Sequence, residues 1–192
     1  TLLVVGNPNE DRDLDLIESD IFAVDLETLE RTPLTDRDGP DHSPLPSPDG
    51  DQVAYLGYDD EVVSWQSTRL YLMNTDGSDA RELAADFDRD FGDLTWSADG
   101  RSLYALIEDA GDVAIIEIDL DGEVQTRVTG IGGTSIGRPY ASGSYTVSNT
   151  RRPGFAYTTA SPDKPADIAV AGRDGREREL TALNADLLPF LD

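Results

Sequence analysis

The phrase Ser47-Pro48-Asp49-Gly50 returns as Ser97-Ala98-Asp99-Gly100 in the same surroundings. The first copy precedes the apolar run Val53-Ala54-Tyr55-Leu56, and the second precedes Leu103-Tyr104-Ala105-Leu106. Each run is followed by a further strand and another Asp-Gly turn. These are Leu70-Tyr71-Leu72-Met73 with Asp76-Gly77, and Ile115-Ile116-Glu117-Ile118 with Asp121-Gly122. Glycine accepts positive φ at no steric cost and aspartate bonds the turn backbone, so Asp49, Asp76, Asp99, Asp121 and Asp174 are turn residues first. A chain that repeats such a hairpin unit folds as an array of like units, because one unit cannot bury its apolar faces alone.

Two independent anchors give the period. Ile21, Leu70, Ile115 and Ile168 are separated by 49, 45 and 53 residues; Leu34, Leu83, Val128 and Leu180 by 49, 45 and 52. The first set marks a third strand in each unit and the second a short fourth strand. Alternating β-branched and aromatic residues suit sheets whose faces stack on neighbours. The pattern predicts an all-β partial β-propeller of about four blades, each a four-stranded antiparallel sheet. The blades are expected at about 1–36, 37–84, 85–130 and 131–181. Residues 182–192 leave the pattern and read as a linker. The chain begins inside what reads as a strand, which predicts a piece of a longer protein.

Charge narrows the partners. The 39 acidic residues against 15 basic ones leave −24. That surface repels phosphate backbones and anionic membranes, so neither nucleic acid nor membrane is expected as a partner. No apolar stretch is long enough to span a bilayer. With no cysteine, disulfides, zinc–thiolate sites and thiol nucleophiles are excluded. No cofactor or metal is expected.

Motifs that mimic catalytic signatures lack their context. Gly133-Thr134-Ser135-Ile136-Gly137 matches G-x-S-x-G but has no buried strand before it and no helix after it. Asp41-His42-Ser43 holds triad residue types side by side, yet adjacent strand residues point to opposite faces. Ser161-Pro162-Asp163-Lys164 matches S-x-x-K, whose geometry needs a helix that Pro162 and Pro165 oppose. Asp11-Arg12-Asp13-Leu14-Asp15 opens like a calcium loop but lacks the glycine and the closing glutamate, and Asp86, Asp88 and Asp90 fail similarly. No catalytic residue is assigned. Long loops on rigid scaffolds often bind, so Tyr58, Asp59, Asp60, Glu61 and Trp65 in the long second-to-third strand connection are the candidate contacts to a ligand or partner. Trp96, just before the Ser97 turn, is expected in the core.

The repeat phrases, with their Ala-Tyr and Leu-Tyr strands, resemble the propeller repeats of the prolyl oligopeptidase family and those of the Tol-Pal envelope propeller. Residues 68–77, Thr-Arg-Leu-Tyr-Leu-Met-Asn-Thr-Asp-Gly, resemble the matching blade of acylaminoacyl-peptidase-like members. Ala166-Asp167-Ile168-Ala169-Val170, then Glu179-Leu180-Thr181 and Asn184-Ala185-Asp186-Leu187-Leu188, are similar to the family's last blade and its exit toward the catalytic domain. The resemblance implies a serine peptidase whose C-terminal α/β-hydrolase domain lies beyond this segment. It also implies a non-catalytic propeller that caps the active site and limits substrates to short peptides. The alternative is an envelope interaction module. The native compartment stays open, with a lean to an extracytoplasmic (periplasmic or secreted) over a cytoplasmic address. A cut ring leaves end blades bare, so the chain is expected to self-associate through Ile21, Phe22 and Val24 at one end and Phe155, Tyr157, Ile168 and Val170 at the other.

Overall fold

The computed structural model describes residues 1–10, 12–14, 17–133, 135, 142–183 and 185–186. Those residues form strands and turns without a helix, as the absence of any 3.6-residue apolar period requires. Two compact units divide the chain, Thr1–Leu94 and Thr95–Asp192.

The first unit opens with β1 (Leu2–Gly6), β2 (Asp20–Val24) and β3 (Arg31–Pro33), an antiparallel sheet of three strands. Four strands were expected here. A four-stranded meander follows: β4 (Asp41–Pro46), β5 (Gln52–Gly57), β6 (Arg69–Asn74) and β7 (Arg81–Leu83). Period-two alternation sends Ile21 and Ala23 to one face of the first sheet. There they pack with Leu34, Val53, Tyr55 and Met73. The opposite face of the second sheet buries Ala54, Leu56, Leu70, Leu72 and Leu83. Strands apolar on both faces are the sequence form of a sheet stacked between neighbours.

The second unit begins within β8 (Gly92–Trp96) and holds β9 (Ser102–Asp109), β10 (Asp112–Asp119) and β11 (Val124–Ile131), then β12 (Tyr145–Val147), β13 (Phe155–Ser161), β14 (Lys164–Ala171) and β15 (Glu177–Glu179). Each set of four is an antiparallel meander. One residue pair, Ile131↔Thr159, joins the two into a continuous sheet. Tyr104, Ile115, Val128 and Ile131 pack on Phe155, Tyr157, Ala169 and Ala171 between them. Trp96 is buried. The short repeats of antiparallel strands are blades of the propeller type.

The turn phrase is built the same way twice. Ser47 Oγ donates to Asp49 Oδ1 (2.5 Å) and accepts the Gln52 N–H (3.0 Å). Likewise Ser97 Oγ donates to Asp99 Oδ1 (2.9 Å) and accepts the Ser102 N–H (3.0 Å). Gly50 and Gly100 take φ of 81° and 68°, which a Cβ would oppose.

The expected bare faces need correction. Ile21, Phe155 and Tyr157 are core residues. Neighbours along a strand cannot share a face, so Ile21 points into the core while Phe22 points away from it. Paired Val4↔Phe22 and Leu2↔Val24 form the outer face of the first sheet. On the last sheet Ala169 faces inward, so Ile168 and Val170 face outward with Leu180. The exit at 187–192 lies outside the described residues.

Candidate functional site

The candidate contacts Tyr58, Asp59, Asp60, Glu61 and Trp65 all fall on the connection between β5 and β6. Polar clasps hold that connection against the β3–β4 link. The Asp60 N–H donates to Asp38 O (2.9 Å) and the Tyr58 N–H to Pro40 O (3.3 Å). Within the loop, Gln66 accepts the Glu61 N–H at Oε1 (3.0 Å) and donates from Nε2 to Asp59 O. Asp60 Oδ1 accepts the Val62 N–H (2.8 Å), where Val62 takes φ of 56°. A β-branched residue at positive φ is strained, and the aspartate bond offsets that strain. The braced loop turns Val62, Val63 and Trp65 outward, with Trp65 76% exposed.

At the loop's root lies an ionic cluster that the motif search missed. Arg37 pairs with Asp41 and stands 3.3 Å from Asp59. Its guanidinium lies 3.8 Å over the Tyr71 ring, and Tyr71 stacks on Tyr55 at 5.2 Å. Arginine suits this place because its flat, weakly hydrated cation stacks on aromatics while donating in its plane. Gly57 makes the room: a Cβ there would stand 2.3 Å from Asp41 Oδ1. Asp41 is fully buried, and its Oδ2 has no hydrogen-bond partner among the described residues. Burial pushes its carboxyl above the usual range against the pull of Arg37, and Asp20 adds to the rise. Burial likewise pushes the Tyr55 phenol up to about 12, with Asp41 adding. Arg37 and Asp41 are close in a chain short of cations, but the stack on Tyr71 that completes the cluster leaves no short-range signal in the sequence.

The catalytic look-alikes separate. Asp41 faces Arg37, not His42. A bulge in β4 places Ser43 at φ 54° and brings its Oγ to 3.0 Å from His42 Nδ1. Simple alternation did not foresee that approach. Burial lowers the His42 pKa. Ser161-Pro162-Asp163-Lys164 is the β13–β14 hairpin turn, with Ser161 Oγ on Asp163 (2.6 Å) and Lys164 Nζ on Glu179 (2.6 Å). Thr134, Ile136 and Gly137 of the G-x-S-x-G match lie outside the described residues, as do Asp11 and Asp15. Asp90 Oδ1 is used to accept the Thr68 N–H (2.8 Å). No group of ligands suited to a metal occurs among the described residues.

No sequence-family profile matches the chain. It is 26% identical over 152 residues to a probable dipeptidyl-peptidase 5 of Aspergillus niger. That match covers 77% of this chain and 21% of the relative. Among solved structures, an acylaminoacyl peptidase aligns with a TM-score of 0.64 at 18% identity, over 97% of this chain and 26% of that one. The chain is thus similar in sequence to part of a peptidase and similar in fold to a peptidase of known structure. The propeller domain of the Trilobed protease from Pyrococcus furiosus shares the fold, with a TM-score of 0.55 at 18% identity over 88% of this chain and 45% of that one. TolB from Acinetobacter baumannii does so too, with a TM-score of 0.59 at 18% identity over 85% of this chain and 38% of that one. The segment thus spans about a fifth of the length of its curated relative.

Proposed function

We propose that this chain is the non-catalytic propeller segment of a serine peptidase, joined to an α/β-hydrolase domain C-terminal to it. It caps the active site and admits short peptides only. The observation that carries this reading is the match to a dipeptidyl-peptidase over 152 residues. In this reading the chain supplies no nucleophile, and the braced loop with Tyr58, Asp59, Asp60, Glu61 and Trp65 faces the hydrolase domain or the entering peptide. The exposed Trp65 on a braced loop suits such a contact, since little order is lost on docking. The bare outer faces of the first and last sheets support self-association of the segment.

The test uses the full-length protein. It is expected to cleave short peptide anilides and to spare a folded protein, while the segment alone turns over neither. Ser135→Ala in the full-length protein is expected to leave the rate unchanged. Cleavage by the isolated segment, abolished by that substitution, would overturn the reading. The likeness to TolB favours a second reading, a module that docks partner proteins. An open reading frame that stops shortly after Asp192 supports the module, and one that continues into a hydrolase supports the peptidase.

A further inference from the structure

A cleft of 330 Å³ opens in the second unit between its two meanders. Three turns bring one arginine each to its wall: Arg101 after the β8–β9 turn, Arg151 between β12 and β13, and Arg173 between β14 and β15. Their convergence is unexpected in a chain with 39 carboxylates and 15 cations. Arg37, Arg69, Arg89, Arg127, Lys164 and Arg176 each take an acidic partner. Arg101, Arg151 and Arg173 form no ion pair with a described residue.

The carboxylates that share the cleft are already committed. Glu117 is neutralised by Arg127, which reaches its Oε2 from Nε and Nη2 at 2.6 Å, and it also accepts from Ser102 Oγ (2.9 Å). Asp119 Oδ1 accepts the N–H groups of Asp121 and Glu123, both at 3.0 Å. Asp99 Oδ1 accepts Ser97 Oγ and the Arg101 N–H. What remains unspent is guanidinium, around a floor formed by the buried Tyr104. Guanidinium forks match the two oxygens of a carboxylate.

We propose that this cleft binds the carboxylate of a small organic acid or peptide end. With Glu117 neutralised, three arginines against Asp99 and Asp119 leave about one net positive charge, which a monoanionic carboxylate balances and a phosphate dianion overshoots. The inference is independent of the peptidase reading, because none of these residues lies on the Tyr58–Trp65 loop.

Titration calorimetry of this chain with acetyl-diglycine, its C-terminal amide and inorganic phosphate tests it. The acid is expected to bind, with the amide and phosphate at least about tenfold weaker. Arg151→Gln with Arg173→Gln is expected to weaken the acid at least tenfold, while Arg152→Gln on the adjacent surface leaves it unchanged. All three side chains are exposed, so an unchanged melting temperature is expected to show that the variants fold. Equal binding of acid and amide, tighter binding of phosphate, no binding at all, or an unaffected double variant would each overturn the proposal.

Discussion

Asp20 and Asp167 stand just before the equivalent anchors Ile21 and Ile168 and make the same bond, yet their carboxyls shift in opposite directions. Thr35 Oγ1 donates to Asp20 (3.0 Å) and accepts the Ile21 N–H (2.9 Å); Thr181 Oγ1 donates to Asp167 (2.8 Å) and accepts the Ile168 N–H (2.8 Å). Burial raises Asp20, with Asp36 adding. The Leu183 N–H and the Thr181 hydroxyl lower Asp167, and Lys164 helps. Surroundings, not the local bond, decide the sign. The same reasoning governs Asp41. Arg37→Leu removes the main influence that lowers its pKa, so its folded value rises further above the unfolded one. A raised carboxyl is a liability wherever it is ionised in the fold, and the liability fades as pH falls through the folded value. Arg37→Leu is therefore expected to cost about 3–5 kcal/mol at pH 7, the usual cost of orphaning a buried charge. The deficit should shrink toward pH 5. Urea unfolding across that range checks this, and a pH-independent deficit would assign the loss to the Tyr71 stack instead.

At the scale of elements, the Ser-x-Asp-Gly turn was legible because its bonds are local. The hydroxyl, the aspartate and the positive-φ glycine all lie within six residues of chain. Ser97→Ala is expected to cost about 1–3 kcal/mol, since the buried Ser102 N–H loses its acceptor. Ser161→Ala, whose hydroxyl meets Asp163 at an exposed hairpin tip, should cost no more than a few tenths of that. Thermal unfolding of both variants decides it, and equal losses would mean the bond to aspartate matters more than the buried N–H. Other features escaped the sequence for a matching reason. The bulge at Ser43 depends on how β4 meets β5, and the Arg37–Asp41–Tyr71 cluster joins residues from three separate elements. The arginine cleft likewise assembles from three turns distant in the chain, at positions 101, 151 and 173. None of these leaves a short-range motif. The two anchor sets were legible because each blade repeats them.

Those anchors also set the expected behaviour of the whole molecule. Ile21, Leu70, Ile115, Leu34, Leu83 and Val128 are at most 8% exposed. Ile21 and Leu34 lie under the β4–β7 sheet, and Ile115 and Val128 under the β12–β15 sheet. Their equivalents on the last blade, Ile168 and Leu180, are 42% and 48% exposed, with no following sheet among the described residues. At the other end Leu2 is 50% exposed, on the outer face that Val4, Phe22 and Val24 share. Covering a half-exposed leucine or isoleucine recovers about half of the ~1.5–3 kcal/mol that full burial is worth. Several such side chains on two faces are enough to favour association, most simply a dimer that joins blade ends. Opposing it is the charge of −24 on each copy, screened beyond about 8 Å at 0.15 M salt. The segment is therefore expected to dimerise at physiological salt and to dissociate as salt is lowered. Ile168→Ser with Leu180→Ser should keep it monomeric at 0.15 M, whereas Ile17→Ser, an exposed position outside the strands, should not. Light scattering over a salt series measures this. A wild-type monomer at every salt, even at high protein concentration, would show that the end faces gain too little from burial to overcome the repulsion.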